Sequence, residues 1–372
     1  MENNIIDIGN NDCTGCSACS IICPCNAISI NLSKDGFYVP IVDDDICNHC
    51  CICKEVCYKY LPESEYNPEK VYTDKKIIAV LNSYTEQLHS VSTAGVATKL
   101  AKAYFNMNNN VCGVSFNPKN NKCEHIIAFC DEDIERMKGS KYVQSNCFSA
   151  LKNLVNQKKR TIVFGLPCQI YGLRKVLQRM EIDDHFVLID MYCAGVPTLN
   201  LWIKYQDFVS RNFGLNEIKI VNFRDKSQGW HKFSLFLLDN NGVTYRQNLY
   251  NDMFFSFYLK KVCLNKACYN CKFRHEMIWS DIRLGDFWGK KYQNFDDGVE
   301  LMVISTKKGE DTWNDIKSSF RFENAEIEDV YKSQKYNRIP MPNDYDEILN
   351  ELSGDEKLED IHSRFKINTK GY

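Results

Sequence analysis

Long hydrophobic runs are missing from this sequence. None approaches the roughly 20 residues that span a bilayer, so membrane insertion is not expected. An excess of one charge sign is missing too. With 46 Lys and Arg against 48 Asp and Glu, the formal net charge is −2, and a nucleic-acid or membrane-surface protein is not expected. The opening Met1-Glu2-Asn3-Asn4 lacks the basic start and apolar stretch of an export signal, which gives the expectation of a soluble, cytoplasmic protein. The histidines show no metal-ligand spacing, and no nucleophile–base pair stands at a useful spacing. The rest is globular in composition, 44% hydrophobic and 25% charged over 372 residues, more than one average domain.

Cysteine is the exception, at 19 residues. In a reducing compartment so many thiols point to metal ligation or redox chemistry rather than disulfides. Ten of them fall between Cys13 and Cys57. Cys13, Cys16, Cys19 and Cys23, followed by Pro24, follow the C-x2-C-x2-C-x3-C-P spacing of bacterial ferredoxins. Cys47, Cys50, Cys53 and Cys57 repeat it, with Tyr58 in place of the proline. Three cysteines at this spacing wrap one cubane, and the fourth, one helical turn on, ligates the other cluster. One 4Fe–4S cluster is therefore expected on Cys13, Cys16, Cys19 and Cys57, the other on Cys47, Cys50, Cys53 and Cys23. Zinc would leave the matched third and fourth cysteines without a role. Cys25 and Cys51 read as buried small side chains, and His49 as a neighbour able to tune a cluster by a hydrogen bond. Between the two runs, residues 27–32 and 37–42 read as a hairpin about Lys34-Asp35-Gly36.

This predicts an α+β, bacterial-type dicluster ferredoxin module over residues 1–62. A linker follows over 63–74, then an α/β domain with a mixed sheet over 75–325 (parts 75–155 and 156–325), and a peripheral helix and tail over 326–372. Strands are expected at 77–81, 111–116, 126–129, 161–165, 187–190, 233–238, 243–245, 282–287 and 301–305. Helices are expected from Ser92-Thr93-Ala94-Gly95 onward, at 169–177 and at 199–213. Cys168 and Cys193 each follow a strand end and would emerge on one sheet edge. Cys263, Cys268 and Cys271 lie close in sequence. A third cluster is expected on Cys193, Cys263, Cys268 and Cys271, with Cys168 as reserve ligand or a thiol facing a cofactor.

Lys138-Gly139-Ser140-Lys141-Tyr142-Val143-Gln144-Ser145, Gly165-Leu166-Pro167-Cys168-Gln169-Ile170-Tyr171-Gly172-Leu173, Cys193-Ala194-Gly195-Val196-Pro197, Cys268-Tyr269-Asn270-Cys271 and Asp281–Gly289 together resemble signatures of the coenzyme F420 hydrogenase/dehydrogenase beta-subunit family. The resemblance covers about residues 77–320. It implies an iron–sulfur flavoprotein in which FAD meets Ser92, Thr93 and Gly95 (one glycine where the family has two), then Lys138, Gly139, Ser140, Lys141, Gln144 and Ser145, and then Gly165, Pro167 and Gln169. Cys168 and Gln169 would face the isoalloxazine ring as catalytic candidates. Phe223, Trp230, Phe287 and Trp288 are candidates for stacking, and Asp281 and Asp286 for substrate contact. The function implied is an oxidoreductase that takes electrons from a ferredoxin or other redox protein, through the clusters to FAD, and reduces a small-molecule acceptor. The alternatives are an electron-transfer subunit of a larger redox complex with no small-molecule site of its own, a reductase or dehydrogenase of coenzyme F420 itself, and a zinc-stabilised scaffold.

Overall fold

The computed structural model describes residues 4–8, 13–62, 71–83, 91–157, 159–274, 277–334 and 339–367. The expected linker lies outside the described residues from 63 to 70.

The N-terminal segment holds two very short helices, α1 (Ala18–Ile22) and α2 (Ile52–Glu55), and a hairpin of β1 (Ile28–Leu32) and β2 (Tyr38–Val42). The pairing runs Ile28↔Val42 to Leu32↔Tyr38, as the alternation predicts. The two cysteine runs are conformational copies. Gly15 and His49 have φ of 69° and 54°, and the residues just before the two helices, Ser17 and Cys51, have φ of 65° and 64°. Cys51 thus holds the left-handed turn position that Ser17 holds in the first run.

The main body is a nine-stranded mixed sheet. Its strands are β3 (Lys76–Ser83), β4 (Asn110–Asn117), β5 (Lys122–Ile127), β6 (Ser145–Asn146), β7 (Thr161–Phe164), β8 (Phe186–Met191), β12 (Ile282–Asp286), β13 (Glu300–Ile304) and β14 (Phe320–Asn324). A separate antiparallel sheet holds β9 (Ile218–Asp225), β10 (Ser234–Asp239) and β11 (Thr244–Asn248). The order of the large sheet is β14-β3-β13-β12-β8-β7-β4-β5-β6, with β12, β8, β7 and β4 parallel neighbours. Such strands are covered on both faces and read as continuous apolar runs, like Phe186-Val187-Leu188-Ile189. The parts 75–155 and 156–325 share this one sheet, since β3 pairs with β13 and β14 while β4 pairs with β7.

Helices α3 (Val96–Asn106) and α4 (Asp131–Met137) cover one face through Leu100, Ala101 and Ile134, against Val111, Ile162, Val187 and Ile282. Helices α5 (Phe148–Val155) and α6 (Pro167–Arg179) cover the other through Leu151, Leu154, Leu173 and Val176, against Cys112, Val163 and Leu188. Ala18, Ile21 and Val56 of the cysteine-rich segment are buried in this second layer. Gly172 makes the approach possible, since a Cβ there would meet Ala18 Cβ at 2.8 Å and Cys16 Sγ at 3.1 Å.

Beyond these lie α7 (Leu199–Phe213), α8 (Met253–Lys260), α9 (Lys266–Tyr269), α10 (Lys307–Asn314), α11 (Ile327–Ser333), α12 (Tyr345–Ser353) and α13 (Leu358–Arg364). The C-terminal segment is not peripheral. Tyr345, Ile348, Leu349, Leu352, Leu358 and Ile361 share a core with α7, α8 and the small sheet. Their spacing is helical, and the acidic side chains between them face outward. No helix among the described residues is long and apolar enough to cross a membrane.

Candidate metal and redox site

The eight cysteines of the two spaced runs line two hollows in a crossed arrangement. Cys13, Cys16, Cys19 and Cys57 line one, closed by Ile5, Ile30, Pro40 and Tyr58. Cys23, Cys47, Cys50 and Cys53 line the other, with Cys25, Cys51 and Asn48 at its wall. The fourth cysteine of each run therefore faces the other run's hollow. Backbone N–H groups aim at these sulfurs. Gly15 donates to Cys13 Sγ and Ala27 to Cys23 Sγ, each at 3.3 Å. Ala18, Ile5 and Lys59 donate to Cys16, Cys53 and Cys57. Such donors favour thiolate and sulfide charge and set cluster potential. Beside Cys47, ligand atoms of Asp44 and His49 lie within 4.8 Å of its sulfur and of each other.

A third thiol group lies at the C-terminal edge of the large sheet. Phe164 of β7 pairs with Ile189 of β8, so the chain leaves both strands on one edge and brings Cys168 and Cys193 together there. Cys168 feels the charges of Cys271, Cys193 and Cys268, and Cys268 and Cys271 each feel Cys193. Gly195 donates to Cys193 Sγ at 3.4 Å, and Val196 donates to Cys268. Cys263 stands apart. It is fully buried in the apolar core, where Thr198 N–H donates to its thiol and Lys261, which also faces Cys193 and Cys268, lies beside it. An antiparallel bridge of Pro197 with Leu264, and the bond from Thr198 N–H to the Cys263 carbonyl, fix its backbone against α7.

Burial pushes up the thiols of the Cys13 group and of the sheet-edge group, Cys13 and Cys57 to about 12. Four protein thiols in a desolvated hollow cannot all ionise unless a cationic centre joins them. Iron centres would meet that requirement in these two groups. Arg274 Nε, buried beside Cys193, Cys268 and Cys271, has no hydrogen-bond acceptor among the described residues, which also fits a sulfide-rich neighbour. Among the described residues, the buried Cys112 and Cys123 accept no such N–H.

The first and third groups adjoin. Cys16 is the first thiol charge felt by Cys168, and Tyr58 is pushed up by burial while facing Cys168, Cys271 and Cys57. Several bonds hold this approach. Gln144 accepts from Tyr38 N–H at 3.0 Å and donates to the Thr14 carbonyl at 3.2 Å. Asn265 donates to the Cys13 carbonyl at 3.0 Å, Cys147 Sγ–H to the Cys16 carbonyl at 3.3 Å, and Lys152 to the Ile21 carbonyl at 2.7 Å. The hairpin turn also docks on α7, where Leu199 N–H donates to the Gly36 carbonyl at 3.0 Å.

The residues expected around FAD divide into two sets. Gln144 is committed to the N-terminal module. Gln169 is buried, accepts from Leu166 N–H at 2.9 Å and donates to Ser145 Oγ at 3.2 Å. Lys141 donates to the carbonyls of Arg136, Met137 and Lys138. Lys138 pairs with Glu135 at 2.7 Å. The start of α3, after Gly95, is already met by a carboxylate, because Val96 N–H donates to Glu300 at 3.1 Å. Gly165 N–H donates to Ile189, and Pro167 opens α6. Only Ser92 and Ser140 converge around an open turn. Their hydroxyls are 3.0 Å apart, and Gly139 between the segments has φ of 76° with nothing within 4 Å of a Cβ. Thr93 offers its carbonyl to Lys226 at 3.4 Å. Trp230 and Trp288 stack on each other at 4.3 Å, and Phe223 and Phe287 are core. Asp281 is structural, bonding Leu188 N–H and pairing with Arg174 at 3.0 Å. Asp286 pairs with Arg224 at 2.6 Å.

Glu300 and Lys226 carried no sequence signal, since each is one charge in a mixed segment. Desolvation raises Glu300 to about 7 despite its Val96 N–H bond. A raised carboxyl binds a proton more tightly folded than unfolded, so its contribution to stability is lost as pH rises through 7. Between pH 6 and pH 8 this term is about 1.4 kcal/mol. The Glu300→Gln variant should show a denaturation midpoint whose fall over that interval is smaller by that amount, and an unchanged slope would count against the buried acid.

Residues 158–330 match the family described as the C terminus of the coenzyme F420 hydrogenase/dehydrogenase beta subunit. The chain is similar to one of the subunits of the F(420)H(2) dehydrogenase of Methanosarcina mazei, 24% identical over 201 residues that cover 51% of this chain and 55% of that protein. The chain thus matches about half the length of this curated relative. A chain of the F420-reducing NiFe hydrogenase complex from Methanosarcina barkeri is similar with a TM-score of 0.47 and 16% identity, covering 78% of this chain and 91% of that one.

Proposed function

Through residues 158–330 the chain belongs to the coenzyme F420 hydrogenase/dehydrogenase beta-subunit family, and on that premise we propose that it is an iron–sulfur electron-transfer subunit of a larger redox enzyme. Three thiol groups would hold the iron. They are Cys23, Cys47, Cys50 and Cys53; then Cys13, Cys16, Cys19 and Cys57; then Cys168, Cys193, Cys268 and Cys271. Bound there, 4Fe–4S clusters supply one-electron storage and transfer. The chain's own part is to desolvate the thiols, direct N–H groups at the sulfurs and fix the groups relative to one another.

The observation that carries this reading is the adjacency of Cys16 and Cys168, with Tyr58 between Cys57 and Cys271. It sets the cysteine-rich module directly against the α/β domain. The partners are redox proteins of the same complex. F(420)H(2), named for the Methanosarcina mazei relative, is the reactant that the enzyme as a whole would serve.

A flavin on this chain is a second reading, favoured by the Ser92–Ser140 junction and the open turn at Gly139. Anaerobic purification followed by iron, sulfide and flavin analysis tests both. About 12 irons per chain supports the three groups. About 8 irons would leave only the N-terminal module, and bound zinc without iron would overturn the proposal. One flavin per chain would move the second reading to the front.

A further inference from the structure

The three thiol groups sit in different charge surroundings. The Cys47 group is rimmed by exposed Asp43, Asp44 and Asp45, whose fields water screens. The Cys13 group faces the half-buried Lys59. The third group faces two cations. Lys261 lies toward Cys193 and Cys268, and Arg274 toward Cys193, Cys268 and Cys271.

Neither cation is neutralised by a carboxylate among the described residues. Lys261 is held as the C-cap of α8 at φ 58°, with its carbonyl accepting from Tyr269 at 2.5 Å and its Nζ 3.8 Å above the Tyr258 ring centre. An aromatic face holds a cation without cancelling its charge. Arg274 is 9% exposed and donates to the Cys268 carbonyl at 2.9 Å. Arg283 also lies toward Cys193, but it is matched by Asp190 at 2.6 Å and contributes little net field. Two positive charges without a carboxylate partner, Arg274 and a Lys261 ammonium that burial lowers to about 8, favour any electron added in a low-dielectric site.

We infer that Lys261 and Arg274 are charge-positioning residues that make the Cys168–Cys193–Cys268–Cys271 group the most readily reduced of the three, so that electrons settle at the α/β end of the chain. The inference rests on the three-group reading and adds the direction of flow to it. The same field opposes electron residence in the N-terminal module once the third group can accept.

The test is an EPR-monitored reductive titration of the full chain, purified anaerobically, with the third signal assigned by its loss in Cys168→Ser. Lys261→Met should make the third group at least tenfold harder to reduce, ~59 mV for one electron, and leave the other two midpoints in place. Lys261→Arg should restore most of the shift. If Lys261→Met loses iron, Arg274→Met is read against the same criterion. Full iron content with an unmoved third midpoint in both variants would overturn the inference and leave the three-group reading standing. A wild-type chain without a third signal would instead overturn the reading beneath it.

Discussion

Cys168→Ser should lose about four irons per chain, while Cys263→Ser should keep all of them. The contrast follows from where the two side chains go. Cys168 begins α6 at the sheet edge, and the charges around it are the thiols Cys16, Cys271, Cys193 and Cys268. Cys263 is fully buried, whereas Cys168 is half-buried, and Cys263 lies in the core cluster that holds Leu199, Leu264 and Tyr269. Serine at position 168 removes a thiolate and leaves three ligands for a cubane, so the third group should fall apart while the N-terminal module keeps its iron. Serine at position 263 exchanges a small apolar-like side chain for a hydroxyl, a stability cost of about 1–3 kcal/mol with no loss of metal. Iron analysis and EPR on anaerobic samples check both. Retained iron in Cys168→Ser with lost iron in Cys263→Ser would reverse the assignment.

The second large effect is expected at Gly172. Replacing a mid-helix glycine by alanine usually stabilises a helix by about 1 kcal/mol. Here the sign should invert, because the new Cβ would stand 2.8 Å from Ala18 Cβ and 3.1 Å from Cys16 Sγ. Overpacking of this kind costs about 1–3 kcal/mol. Gly172→Leu should go further, forcing α1 off α6 and displacing Cys16 from its three partners. The expected result is selective loss of about four irons from the first group, faster proteolysis between residues 62 and 75, and a third group that still binds iron. Wild-type iron content and proteolysis in Gly172→Leu would show that the two segments are not held at this contact.

Much of the candidate site was legible because ligand spacing is local. The runs Cys13–Cys23 and Cys47–Cys57 each specify a loop and a short helix, and the fourth-cysteine rule foresaw the crossed lining of the two hollows. The third group is less local. Cys263 stands five residues before Cys268, yet the Pro197–Leu264 bridge ties its backbone beside α7. The better guide was already present in the parallel strands β7 and β8, which bring Cys168 to the edge where Cys193 emerges. The flavin contacts were hard to read for a different reason. Lys141 and Gln144 follow the Gly139 turn and Gln169 stands in the first turn of α6, and nothing local reveals that their donors and acceptors are taken up within the chain.

The fold shows the same division. The buried central strands and the hairpins announced themselves through apolar runs and turn residues. Strand β9, Ile218–Asp225, did not, because its polar Lys219, Asn222 and Arg224 mask the alternation. Strand β14 is an edge strand with exposed Arg321, Phe322 and Asn324 and a shifted register. The acidic C-terminal helices looked peripheral because their charge outnumbers the few apolar residues that anchor them.

If three groups of four thiols hold iron in one connected line, an anomalous difference map at the iron edge, from crystals grown anaerobically, will show it. Three iron peaks are expected, enclosed by Cys23/Cys47/Cys50/Cys53, by Cys13/Cys16/Cys19/Cys57 and by Cys168/Cys193/Cys268/Cys271, with the second peak between the other two. Two peaks only, or a third one centred on Cys263 and remote from Cys168, would contradict it.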